Sequence, residues 1–294
     1  MSSINRLPAP TFGWLGVNGV EKDISEGALP EVNIDRSGSE PVRIEVSESG
    51  SYLISTGEGG SLEVIVYVKT DSSAELRFGV SVPDNAGIKL IQVFENCGES
   101  VSRVDAKVGE GGSLELVQLY IGGKDTVSGA QISLEGRRAA FKADIGYLTH
   151  KDEKLDINLI ADHYGKKTGS EINVRGVLYD NAYKTFKGTI DFKKGAVGAK
   201  GEEKEEVLLM DSQVRNKTVP LILCAEEDVE GSHGASIGRI NEEHLFYMRS
   251  RGLSDEKIYE LMARSKIGQV VSRIGDDETV RRIYEVIGGG EENE

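Results

Sequence analysis

The chain has 294 residues, with 49 Asp and Glu against 35 Lys and Arg, and a formal charge of −14. Such a surface repels nucleic-acid phosphates and anionic lipid headgroups, so neither nucleic acid nor membrane is an expected partner. No run reaches the ~20 apolar residues that span a bilayer, MSSINRLPAPTFGW has no apolar stretch of signal-peptide length, and Cys97 and Cys224 alone build neither a disulfide framework nor a CxxC zinc site, so a cytoplasmic location is expected.

Residues 1–40 show no clear period. Trp14, Leu15 and Val17, close to Gly13 and Gly16, suggest a segment that packs on the body. Residues 41–238 read as short strands rich in Val, Ile, Leu and Tyr, separated by Gly, Ser, Asp and Asn. Examples are VRIEVS at 42–47, LEVIVYVK at 62–69, IKLIQVF at 88–94, LELVQLYIG at 114–122, INVRGVLYD at 172–180 and TFKGTIDF at 185–192. A sandwich, a barrel and a solenoid all bury this pattern. Two-residue Asn-Gly or Asp-Gly turns are scarce between the runs, and GGSLE recurs at 59–63 and 111–115. Both features favour a mainly β chain wound as a parallel β-helix, with a sandwich as the alternative.

After Gly238 the period changes to that of helices. Asn241 caps a first helix that closes at Gly252, and Ser254 caps a second whose apolar residues Ile258, Leu261, Ile267, Val270, Val271 and Ile274 share one face. Asp276 and Asp277 precede a third, with Val280, Ile283, Tyr284 and Ile287 on one stripe. Residues 239–288 therefore form a small C-terminal helical module, and residues 289–294 are expected to fray. No GxxxxGK[ST] phosphate loop occurs, so no nucleotide is expected on this chain.

The tract EEDVEGSHGASIGRINEEHLFYMRSRG at 226–252 joins the β body to the helices. Gly231, Gly234 and Gly238 surround His233 in a segment that other backbones can approach closely, which suits a ligand, although a lone histidine is more often structural. The tract resembles the C-terminal signature of the SufB/SufD family, through Ser232-His233-Gly234-Ala235, Gly238-Arg239-Ile240, Glu242-Glu243, Leu245-Phe246-Tyr247 and Arg249-Ser250-Arg251-Gly252. VRGVLYDNAYKTFKGTIDF at 174–192 and ADHYGKKTGS at 161–170 resemble earlier coils of the same family.

The resemblance implies a right-handed parallel β-helix ending in a short helical domain, and a non-catalytic scaffold subunit in iron–sulfur cluster assembly. It further implies docking of the helical domain, through Leu245, Phe246, Tyr247, Met248, Arg249, Arg251 and Leu253, onto a SufC-type ABC ATPase that supplies ATP hydrolysis. Pairing at the β-helix ends with a second copy or a paralogous SufB/SufD-like subunit would hold a transient cluster near His233. Candidate cluster ligands are His233, Cys224, Glu230 and Cys97. The chain departs from the family where SufD-like members carry cysteine at the position of Gly231, where SufB-like members carry carboxylates at Ser232 and Gly234, and around Glu205–Met210, which holds no cysteine. The competing function class is a β-helix carbohydrate-active lyase or hydrolase, whose aromatic sugar platforms fit poorly with a single Trp.

Overall fold

Coiling, not hairpin formation, satisfies the alternating apolar pattern. The computed structural model describes residues 2–11, 13–24 and 27–288, so the expected frayed tail lies outside the described residues. Successive strands go alternately to two eight-stranded sheets in which all pairings are parallel. One sheet stacks β4 (Val42–Val46), β6 (Ser61–Val68), β8 (Gly87–Glu95), β10 (Ser113–Ile121), β12 (Ala140–Thr149), β14 (Gly169–Leu178), β16 (Ala199–Leu209) and β18 (Val229–Arg239). The other stacks β3 (Glu31–Asp35), β5 (Gly50–Ser55), β7 (Ala74–Val82), β9 (Glu99–Val108), β11 (Asp125–Leu134), β13 (Lys154–His163), β15 (Tyr183–Phe192) and β17 (Arg215–Cys224). Ser61 pairs with Gly87 and Gly87 with Ser113, so the repeated GGSLE marks the same corner two coils apart.

Stacking in exact register forces equivalent corners to coincide. A Cβ on Gly165 would lie 2.1 Å from the Gly136 carbonyl oxygen, and one on Gly136 2.0 Å from the Glu110 amide nitrogen, so no larger residue fits at either corner.

The two sheets meet different surroundings on their outer faces. On β7 and β9 buried residues alternate strictly with exposed or half-buried ones, as expected of a sheet with one wet face. On β6, β8 and β10 the C-terminal halves are buried on both faces, because helices cover them. Those helices are α1 (Glu242–Ser250), α2 (Asp255–Val271) and α3 (Asp277–Ile287), capped by the side chains of Asn241, Ser254 and Asp276, which accept from the backbone amides of Glu243, Lys257 and Thr279. α2 lies across β10, β12 and β14. Its Ile267, Val270 and Val271, with Ile283 of α3, form a second core with Ile65, Ile91, Val93, Val117 and Leu119 of the sheet.

α3 is also tied to the first coils by charge. Arg43 bonds the Asp276 cap, holding its carboxyl down at about 2, and Arg282 lies 3.4 Å above the Tyr67 ring and 2.9 Å from Glu45. Among the described residues no helix is long and apolar enough to cross a membrane.

The N-terminal segment crosses the outer face of the β3-to-β17 sheet. Short antiparallel strands β1 (Ser2–Ile4) and β2 (Val20–Lys22) anchor it to each other. Asn5 donates to the Ser128 carbonyl at 2.9 Å and to Asp156 at 2.8 Å, and its own carbonyl accepts from Lys187, which is wholly buried beneath it. Asn158 donates to the Arg6 carbonyl at 3.1 Å, and Leu7 and Val17 are buried.

The second core gives a direct expectation. Ile267→Ala removes a fully buried side chain from between α2 and the sheet and is expected to cost about 2–4 kcal/mol in urea denaturation. Phe246→Ala, at a residue 74% exposed on α1, is expected to shift stability by under ~0.5 kcal/mol.

Candidate functional site

The last coil, β17 with β18, closes neither sheet. Each strand is hydrogen-bonded on one side only, to β15 and to β16, which leaves a row of backbone donors and acceptors facing outward from each sheet. β18 is exposed or half-buried at every position.

Register shows where each candidate residue faces. Val64, Leu90, Leu116, Ala143 and Ile172 pair in succession down one sheet and are all buried in the lumen. The same column continues to Glu203 and ends at His233. His233 is thus an inward-facing residue on the open coil, directly above Glu203. A parallel column on the other sheet runs Val108, Leu134, His163, Phe192 and ends at Cys224. His163 and Phe192 are in ring contact, with centroids 4.8 Å apart.

The two end-of-column ligand candidates share a mouth but do not meet. A Cβ on Gly231 would lie 3.2 Å from Ile222, which sets these two residues opposite each other. Cys224 and His233 then lie two residues to either side of that point, offset by roughly 13 Å along the strands at ~3.3 Å per residue, with the gap between the two sheets in addition. Cys224 is exposed, and its thiol lies 3.2 Å from the Glu226 carbonyl. Glu230 is on the outer face of β18 and pairs with Lys200 at 2.8 Å. Cys97 sits coils away in the main core, 2% exposed, its thiol turned to the Val68 carbonyl and pushed up to about 11 by burial. A thiol in that state is neither a ready ligand nor an accessible nucleophile. Among the described residues no group of three or more His, Cys, Asp or Glu is placed to hold a metal ion.

Beneath His233 the lumen turns from apolar to charged. Lys184 and Glu205, both fully buried, form an ion pair, and Thr218 donates to the other Glu205 oxygen at 2.7 Å. Burial pulls the Lys184 ammonium down while Glu205 pulls it up. Glu203 is 2% exposed; burial, reinforced by the neighbouring Glu205 carboxylate, pushes it up to about 8. The buried Tyr147 ring lies 5.4 Å from the Lys184 ammonium. Sequence reading passed over this floor because EEKEE in β16 looks like a solvated run; only the two-residue alternation, locked to Val207 as an inward residue, turns Glu203 and Glu205 into the lumen. The helical candidates fall on a different surface. α1 buries no residue, and Phe246 and Tyr247 are 74% and 56% exposed. Arg249 is held by Asp255 at 2.7 Å and Arg251 lies over the Tyr247 ring.

Two buried groups beneath the mouth respond to pH in opposite directions. His163, hydrogen-bonded to Thr168 and Ser170 at 2.8 and 2.9 Å, is pulled down by burial to about 4. Its unfolded form takes up the extra proton, so its contribution is lost as pH falls from ~6.5 towards ~4. For Glu203 the folded form keeps the proton, so its contribution is lost as pH rises from ~4.5 towards ~8. From ~4.5 to ~6.5 these two contributions oppose each other; above that the Glu203 contribution declines, by about 2 kcal/mol by pH ~8, in the same direction as those of Glu153 and Asp156, whose carboxyls burial also pushes up. Urea melts of Glu203→Gln should lose this part of the alkaline decline while matching the parent near pH ~5.

Comparison with known proteins places these features in a family. The model of the SUF system FeS cluster assembly SufBD core domain matches residues 43–266. An iron–sulfur cluster assembly SufBD family protein of Mycobacterium leprae is 24% identical over 258 residues, covering 87% of this chain and 29% of that protein. Iron–sulfur cluster assembly protein SufD of Bacillus subtilis is 30% identical over 125 residues (42% of this chain, 29% of SufD), and SufD of Escherichia coli 23% over 214 residues (72% and 51%). The chain thus spans between about three-tenths and one-half of the length of these relatives.

Proposed function

The chain belongs to the SufB/SufD family, and from that premise we propose that it is a cytoplasmic, non-catalytic scaffold subunit of iron–sulfur cluster assembly, pairing with another such subunit through its terminal coil. The observation that carries this reading is the open β17–β18 coil with His233 at the end of an inward column. A coil with two unpaired strand edges invites continuation by another chain. A single chain offers no complete ligand set there, so a transient cluster at this mouth draws His233 and its remaining ligands from two subunits. His233 is the primary ligand and Cys224 a second donor from whichever chain brings it near; neutral imidazole and thiolate both suit iron. Glu230, turned outward to Lys200, contributes only if that pair opens, and Cys97 would need the core to open.

The helical surface has its own role in this reading. α1 stands clear of both cores and presents Leu245, Phe246, Tyr247, Met248, Arg249 and Arg251, with Leu253 just beyond it, to a SufC-type ABC ATPase, which supplies the hydrolysis for which this chain has no phosphate loop. α2 and α3 serve as the base, since their apolar faces are already occupied.

Two measurements test the proposal. His233→Ala should fold and bind the ATPase normally, yet retain less than about half of the iron and sulfide after anaerobic reconstitution together with its pairing subunit; retention equal to the parent refutes the ligand role. Phe246→Asp should weaken ATPase co-purification at least tenfold, about 1.4 kcal/mol or more, with an unchanged melting temperature. ATPase binding unaffected by that variant would move the docking surface away from α1.

A further inference from the structure

The N-terminal segment does more than pack. After leaving Asn5, which is pinned over Gly129 in β11, it runs across the coils towards the open end of the solenoid. There a single 3-10 turn, Gly13–Leu15, meets β17: the Leu15 carbonyl accepts from Lys217 at 2.7 Å, and Gly16 follows in a left-handed turn with φ +62°, where a Cβ would lie 4.0 Å from the same ammonium. Val17 is buried, and Asn18 closes the loop by bonding the Thr11 backbone amide at 2.7 Å and its carbonyl at 2.9 Å. The turn is therefore fixed at the rim of the unpaired coil. At its centre stands Trp14, 82% exposed, the only tryptophan in the sequence.

An exposed tryptophan on a fastened turn, next to the unpaired edge of β17, has the character of an interface anchor. Which partner covers it follows from the ends of the solenoid. At the opposite end β3 and β4 have five residues each, against ten and eleven in β17 and β18. Head-to-tail stacking would leave about half of each long edge without partners. The long edges match only edges of the same length, which a second copy turned about a two-fold axis provides for both sheets at once, closing the assembly.

We propose that Trp14 is an anchor of this end-to-end contact, buried against a second copy of the chain when the terminal coils pair; this rests on the reading that the terminal coil is a docking edge. The N-terminal segment then extends the docking surface from the strand edges onto the outer face of the β17 sheet, and the symmetric contact uses the tryptophan twice.

The single tryptophan makes the test direct. The full chain is followed by sedimentation equilibrium and by selectively excited tryptophan emission through the same dilution series, alongside Trp14→Ala, whose fold is checked by circular dichroism. The expected result is a dimer whose dissociation shifts the emission to the red, with self-association at least tenfold weaker in Trp14→Ala. A dimer that dissociates with no change in emission, and with equal affinity in Trp14→Ala, overturns the anchor while leaving the terminal-coil contact standing. A chain that stays monomeric throughout overturns both the anchor and the pairing with a second copy.

Discussion

Everything in this structure depends on in-register parallel stacking: each coil must place its residues directly over those of the coil before it. That requirement turns a pattern of alternating residues into continuous columns, and a column is a positional instruction. It is why a histidine on the last strand inherits the direction set by Val64 on β6. It also explains the corners, where Gly165 meets the backbone of Gly136, and Gly136 that of Glu110, too closely for any side chain. A slip of one residue in any coil would turn every later lumen residue outward, so the geometry of the mouth is an accumulated property of the whole ladder.

The columns also show where the fold gives up apolar burial. For most of its length the lumen is filled by Leu, Ile, Val and Phe, with Phe94 stacked on Tyr120 and Tyr52 on Phe78. Only in the last closed coils do Lys184, Glu203 and Glu205 enter it. Buried ions of this kind are a weak source of stability, because desolvation offsets most of their attraction. They are concentrated beneath the open coil, with none in the columns of the first coils, so the charged part of the lumen lies next to the mouth.

Much of this was legible in the residues. Alternation and corner composition favoured the solenoid but left a sandwich open, and capping side chains located all three helices, because Asn241, Ser254 and Asp276 act locally. The near-continuous apolar runs LEVIVYVK and LELVQLYIG already contained the second core, since a strand with one wet face has no use for them. What could not be read was the lateral placement of single residues. His233, Cys224 and Glu230 stand close in sequence, yet the pleat sends Glu230 outward and the fold separates the other two along the mouth. Cys97, at a strand end, reads more readily as an inert thiol than as a ligand, and it is buried in the core against the Val68 carbonyl. The N-terminal segment has no period because it follows the surface of a sheet formed by residues more than a hundred positions away, such as Ser128 and Lys217.

The tie between α3 and the first coils changes how such a molecule comes apart. An ordinary solenoid behaves as a chain of neighbours, each coil stabilised only by the next, and it can peel from either end in small steps. Here Arg43 on β4 is fastened to the cap of the final helix, and α2 lies across β10, β12 and β14 on the way there. The N-terminal coil therefore cannot peel away without breaking its bond to the C-terminal helices, which couples the first coils to the last helix. At the opposite end the coil that carries His233 has, among the described residues, no such tie to the helices across the sheet and is held by one neighbouring strand on each sheet and by the Lys217 bond to the N-terminal turn.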